Sequence, residues 1–403
     1  MNVIIHIGPP KTGTSAIQKW LKDNTALLLQ HGIYYPQHNE DSNGISSGNF
    51  LSVFEPFEDD FQVSPSRLNM LLSQAKAENC HTVLLSSEYF FSRLKPVVDA
   101  IASVKCIAYV RNPAELHESH YNQSVKRHGN IEQIRKAESL PMHTIKVLGE
   151  HAQLLSERLI LRAYHEQLFV GGNIVADFVD ALALNDDIIA AIGDVKIVNR
   201  SYCLEALEVK RWFNAYELGD LGNRLDRTLQ AYDNGITAFS FVDRDQYNDY
   251  KRQSVRWIER LNEQVPFENA KALIELVREQ QHKPFFRQTL TAEQCNEVLN
   301  FIASQDGDLL KRLAFCVYGQ PSVKDTAPFT QCIFDLVPPR QALPSLNNYI
   351  VSCLKSKRNT TTREPNVLID NYTNHKEFRF YAQQLLQSRV NLWAYWNAFR
   401  YSR

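Results

Sequence analysis

A lysine, a glycine and three hydroxyl side chains fall on consecutive positions near the start of the chain, as Lys11-Thr12-Gly13-Thr14-Ser15. Backbone N–H groups of Gly13, Thr14 and Ser15 converge on one anion if they open a helix, whose dipole adds partial positive charge there. Gly13 permits a close backbone approach, and the hydroxyls of Thr12, Thr14 and Ser15 add donors. A second constellation is Arg111-Asn112-Pro113, with Ser119 eight residues after the arginine. A guanidinium fork suits a phosphate monoester, because it makes paired, charge-assisted hydrogen bonds. Between the two lies Glu88, a carboxylate able to take a proton from an attacking hydroxyl. The chemistry these residues point to is two anion grips and one base.

Elements that place such groups are legible around them. Ile4-Ile5-His6-Ile7 reads as a strand running into the first turn, and Ile17, Trp20, Leu21 and Leu28 give the following stretch a helical apolar face. Lys105 to Val110 is a short apolar run that reads as a buried strand, with Asn112 as N-cap and Pro113 as first residue of the next helix. Thr82 to Ser86 is another, and Glu88 lies just past its end. Strand-like runs near 3–7, 82–86, 105–110 and 159–163 alternate with helical stretches, the pattern of a helix-covered parallel sheet that binds ligands at its C-terminal edge. Gly8, Gly13 and Ser15 imitate the spacing of the nucleotide P-loop, G-x-x-x-x-G-K-[ST], but Thr14 occupies the lysine position and Lys11 has moved into the turn. A nucleoside triphosphatase needs that lysine beside Ser15. The expected fold is α/β: a P-loop-like parallel β-sheet flanked by helices over residues 1–265, with a mostly helical C-terminal extension over 266–403.

Pro10 to Ser15 resembles the 5′-phosphosulfate loop, P-K-[ST]-G-T-[ST], of sulfotransferases that use 3′-phosphoadenylyl sulfate. Arg111 and Ser119 are similar in type and spacing to that family's 3′-phosphate motif, and the stretch from Leu159 to Leu168 resembles its later strand and turn. The likeness covers roughly residues 1–265. It implies that Lys11, Thr12, Gly13, Thr14 and Ser15 hold the 5′-phosphosulfate, with Lys11 helping the phosphate leave, and that Arg111 and Ser119 hold the 3′-phosphate. Glu88 precedes Arg111 by 23 residues, an interval similar to that of the family's base. The implied reaction is metal-free, in-line sulfuryl transfer to an acceptor hydroxyl, that of a glycan or glycolipid before a small alcohol, with an amine as the lesser alternative. Two other readings stand beside it: a P-loop kinase or nucleotide hydrolase with a degenerate loop, and a sulfotransferase-fold protein that binds nucleotide or glycan without turnover.

The 403 residues carry a net charge of −1, which argues against nonspecific nucleic-acid binding, and 44% hydrophobic residues support a sizeable core. No apolar run approaches the ~20 residues of a membrane span, and no leader-like segment precedes the first strand, so a cytoplasmic enzyme is expected. Seven scattered cysteines, none in C-x-x-C spacing, suit reduced thiols, with Cys106 filling the core. His117 and His120 are reserve bases, and His6 reads as a satisfied core residue. Polar residues over 36–66 predict a long irregular loop acting as a lid, with His38 or Asn49 touching an acceptor. Residues 200–310 read as mostly helical, Lys355 to Arg363 as a solvated basic loop and Trp393 to Phe399 as a docked helix. The oligomeric state is left open.

Overall fold

The computed structural model describes residues 1–38, 48–184, 188–189, 192, 201–216, 218–318 and 328–338. Five strands form one parallel sheet: β1 (Asn2–His6), β2 (Ile33–Tyr34), β5 (Thr82–Ser86), β6 (Lys105–Val110) and β7 (Leu159–Ala163), in the order β2-β5-β1-β6-β7. A separate antiparallel hairpin joins β3 (Phe54–Phe57) to β4 (Asp60–Val63). In chain order the helices are α1 (Thr14–Asp23), α2 (Thr25–Gln30), α3 (Pro65–Ala77), α4 (Tyr89–Ser92), α5 (Leu94–Ala100), α6 (Pro113–Arg127), α7 (His143–Leu155) and α8 (Ile174–Ala181). The helical C-terminal part follows as α9 (Leu204–Phe213), α10 (Leu221–Gln230), α11 (Arg244–Gln264), α12 (Ala270–Glu279), α13 (Ala292–Gln305), α14 (Gly307–Tyr318) and α15 (Phe329–Leu336). None of the described helices is long and apolar enough to cross a membrane.

Strand alternation divides the helices between the two faces of the sheet. Val3 and Ile5, Val83 and Leu85, and Cys106, Ala108 and Val110 share one apolar cluster with residues of α3, α5, α7, α11 and α12. Leu84, Ile107 and Tyr109 point the other way, onto Ile17 and Leu21 of α1, Leu28 of α2 and Phe178 of α8. The helix after β1 therefore covers one face, while Ala114, at the start of the helix after β6, packs into the cluster of the other. A crevice opens where neighbouring strands send their helices to opposite faces. Here it lies between the C-terminal ends of β1 and β6.

The contacts divide the described chain into two units. One comprises residues from Met1–Tyr121, Arg135–Arg200 and Ser240–Phe285; the other takes residues from Asn122–Ile134, Ser201–Phe239 and Phe286 onward. The first unit thus includes chain from both sides of residue 265. The second is built around α9, all ten of whose residues are buried, Glu205, Glu208, Lys210 and Arg211 among them. Burying charge is costly unless it is paired or hydrogen-bonded: Glu208 and Arg211 form an ion pair, and Glu205 and Lys210 have hydrogen bonds to neutral groups. Glu208 accepts from Arg211 Nη2 at 2.6 Å and from Gln288 at 3.0 Å, while Glu205 accepts from the Ile236 N–H at 2.9 Å. Burial lowers the pKa of Lys210 to about 8.

The expected irregular loop over 36–66 needs correction. Residues 39–47 lie outside the described set, but 50–52 form a 3₁₀ turn and 54–63 the hairpin, so this segment carries structure of its own. The alternation of Phe54, Phe61 and Val63 with polar neighbours was a hairpin signal overshadowed by the run of turn residues before it. The readings at Lys355 to Arg363 and Trp393 to Phe399 fall outside the described residues.

His6 is fully buried in β1, where Nδ1 lies 2.9 Å from Ser86 Oγ and the ring rests 5.0 Å from that of Phe178. Its Nε2 has no hydrogen-bond partner among the described residues, so the expected satisfied histidine is only half satisfied. Burial lowers its pKa from 6.5 to about 3. A depressed histidine favours folding above its unfolded pKa, and that contribution is lost as pH falls from about 6.5 toward about 3. Between pH 7 and pH 5 the loss should reach about 2 kcal/mol. Urea unfolding at the two pH values should show it in the native protein and not in His6→Gln.

Candidate functional site

The turn after β1 is built by sterics. A Cβ at Gly8 would lie 2.5 Å from Thr14 Oγ1, and one at Gly13 would lie 2.8 Å from Ile174, which opens α8. Gly13 also has φ +79°, in the left-handed region. Lys11 has φ +68° without being glycine, a conformation that costs on the order of 1 kcal/mol and must be held by its surroundings. The Thr12 hydroxyl donates to the Pro9 carbonyl at 2.6 Å and is fully buried. It braces the turn, which corrects the expectation that it adds a donor for an anion. The first helical bonds of α1, from Ala16 and Ile17, both end on the Gly13 carbonyl, so the Thr14 and Ser15 N–H groups sit at the open end of a ten-residue helix. Thr14 Oγ1 is buried there with no partner of hydrogen-bond geometry among the described residues.

Arg111 leaves the end of β6, and Asn112 caps α6 by accepting the Ala114 N–H at 3.0 Å. The guanidinium makes three contacts. Nη1 donates to the Lys11 carbonyl at 2.7 Å, Nε donates to Glu115 at 3.2 Å, and the plane lies 5.0 Å over the Tyr164 ring. Two motifs a hundred residues apart in sequence are thus tied by one hydrogen bond. Ser119 is half-buried one turn beyond Glu115, on the same side of α6, because residues four apart share a face.

Glu88 stands past the end of β5, on the other side of β1 from Arg111. Its side chain reaches solvent, yet protein surrounds it closely enough that burial raises its pKa, while Lys11 and Thr14 pull in the opposite direction. Its side chain makes no capping bond to α4; Ser87 Oγ accepts the Tyr89 N–H instead, at 3.1 Å. Asn49 is buried, and its Oδ1 accepts the Ser86 N–H at 2.7 Å while its own N–H donates to the Ser86 carbonyl. It braces the strand end that carries Glu88 and is not poised for an acceptor, and His38 bonds the Tyr35 hydroxyl at 3.0 Å. His120 is lowered in pKa by burial first, and then by the charges of Lys11, Arg111, His117 and His143. Lys11 and Arg111 thus both act on the same imidazole.

The structure brings Lys11, Thr14, Glu88, Arg111 and His120 together. His117 turns its ring edge to Tyr250, at 5.6 Å. Three contributors escaped sequence reading: Tyr164 beneath Arg111, His143 at the start of α7, and Gln280, which donates to Glu115 at 2.5 Å and accepts from Asn112 at 2.7 Å. Only Tyr164 carried a signal, as the residue just past an apolar run; a lone histidine and a glutamine after a helix carry none. Comparison with protein-family models, curated proteins and solved structures finds no match to this chain.

A carboxyl whose folded pKa is raised favours folding in its protonated form, and that contribution is lost as pH rises through the folded pKa. Glu88→Gln should therefore melt above the native protein at pH 7.5 and not at pH 4. A lower melting temperature for the variant at pH 7.5 would mean that attraction to Lys11 outweighs burial.

Proposed function

We propose that this protein transfers a sulfuryl group from 3′-phosphoadenylyl sulfate to an acceptor hydroxyl, through a P-loop-like turn whose lysine is displaced. The observation that carries the reading is the gathering of Lys11, Glu88 and Arg111 at the ends of three adjacent strands, with Arg111 bonded to the Lys11 carbonyl. The donor has two anionic ends. Lys11 and the Thr14 and Ser15 N–H groups serve the 5′-phosphosulfate, and Arg111 with Ser119 serves the 3′-phosphate. The residues fit that substrate: the Thr14 and Ser15 N–H groups stand at the open end of α1, and the charges of Lys11 and Arg111 both bear on His120 beside them.

In the transfer the acceptor oxygen forms a bond to sulfur as the bond from sulfur to the bridging oxygen breaks. The acceptor proton goes to the Glu88 carboxylate, and the electron pair leaves on the 5′-phosphate oxygen. Charge growing on that oxygen is opposed by the Lys11 ammonium and the helix N–H groups, held in place beforehand at the sheet edge. The raised pKa of Glu88 makes it a stronger base than an ordinary carboxylate, closer to the neutral range where general bases work best. The resemblance of Glu88 to the base of carbohydrate-modifying sulfotransferases favours a glycan or glycolipid acceptor.

Titration calorimetry with 3′-phosphoadenosine 5′-phosphate, ADP and ATP tests the nucleotide. The 3′-phosphorylated compound should bind tighter by about 1.5–3 kcal/mol, the worth of a charged hydrogen bond. Equal affinity for ADP sinks the proposal, since Arg111 would then have no 3′-phosphate to hold. Lys11→Ala should lower turnover roughly 10²–10³-fold, with an unchanged circular dichroism spectrum.

A further inference from the structure

A chain of hydrogen bonds reaches the turn from a distant part of the sequence. Gln280, just past α12, donates through Nε2 to Glu115 Oε1 at 2.5 Å and accepts through Oε1 from Asn112 at 2.7 Å. Glu115 Oε2 accepts from Arg111 Nε at 3.2 Å, and Arg111 Nη1 ends the chain on the Lys11 carbonyl at 2.7 Å. Gln280 is itself held: its carbonyl accepts from the Tyr247 hydroxyl and from Lys251 Nζ, both at 3.2 Å. At the far end, Lys11 keeps a left-handed backbone that its β-carbon disfavours.

We propose that Gln280 is a positioning residue for the transfer, acting through Glu115 and Arg111 on the backbone of Lys11. Gln280 sets the Glu115 carboxylate, the carboxylate sets the rotation of the guanidinium, and Nη1 pins the Lys11 carbonyl. The pin holds the turn in the conformation that keeps the ammonium close to Glu88. Only an amide of this length suits the place, because it donates to a carboxylate and accepts from Asn112 at once. Glutamate at 280 could not donate when ionised, and methionine could do neither. It follows that the grips for the two ends of the donor are one mechanical unit, and that Arg111 serves the lysine as well as the 3′-phosphate. The inference rests on the donor reading given above.

A double-mutant cycle on the full chain tests it, reading the affinity for 3′-phosphoadenosine 5′-phosphate by calorimetry. Gln280→Met should weaken binding about tenfold in the native background and leave it unchanged in Arg111→Ala, because the residue acts through that arginine. Gln280→Glu, which keeps the packing volume and loses the donation, should show the same pattern and serves if the methionine variant does not fold. Turnover should fall with either variant at saturating nucleotide. Equal losses in the two backgrounds, or no loss in the native one, overturn the inference and leave the donor reading intact. A native protein without preference for the 3′-phosphorylated nucleotide overturns both.

Discussion

The candidate site depends on β1 being hydrogen-bonded on both sides. β5 pairs with it from Asn2↔Thr82 to His6↔Ser86, and β6 pairs with it from Ile4↔Lys105 to His6↔Ile107. Parallel ladders bring all three C-terminal ends to one edge, so residues 11, 88 and 111 emerge as neighbours although the chain separates them widely. The register leaves little choice: a slip of one residue would turn His6 and Ile4 toward the wrong helices and bring Val3 and Ile5 out of their cluster. The Arg111 bond to the Lys11 carbonyl then ties the ends of β1 and β6 together.

One buried carboxylate beside the turn is fully engaged. Asp177 accepts from Arg162 Nε at 2.7 Å, from the Tyr109 hydroxyl at 2.9 Å and from the Val170 N–H at 3.1 Å. That network is complete, and it holds α8 to the sheet, where Ile174 meets the turn. At the site Lys11 is strained, and burial pushes the Glu88 carboxyl up in pKa. Unfavourable local features persist where the surrounding structure over-determines them, and they gather where a ligand would relieve them.

Several assignments made from spacing alone changed because of partners that spacing does not encode. Thr12 looked like an anion donor and is turned inward to Pro9. Asn49 looked like part of a lid and is buried against the end of β5. Arg111 looked, with Ser119, like a phosphate ligand, and it also braces the turn. In each case a short-range pattern showed where a residue sits, and a long-range contact showed which of its atoms is already engaged.

The amino-acid sequence alone determined the local elements that carry the chemistry. Alternating and continuous apolar runs marked β1, β5, β6 and β7, Asn112-Pro113 marked the start of α6, and Gly13 marked a turn opening onto a helix. Such features depend on contacts within a few residues, on backbone sterics and capping, and these are written in neighbouring side chains. Tertiary structure decided the rest: the strand order, the hairpin that displaced an expected loop, the division of the chain into units, and the link from Gln280 to Lys11. Residues 115 and 280 meet only because α12 returns to the sheet face that α6 shares, and no periodicity in either segment records the other. Lys11 and Arg111 were visible as candidates from their surroundings. That one holds the other is a property of the folded sheet edge.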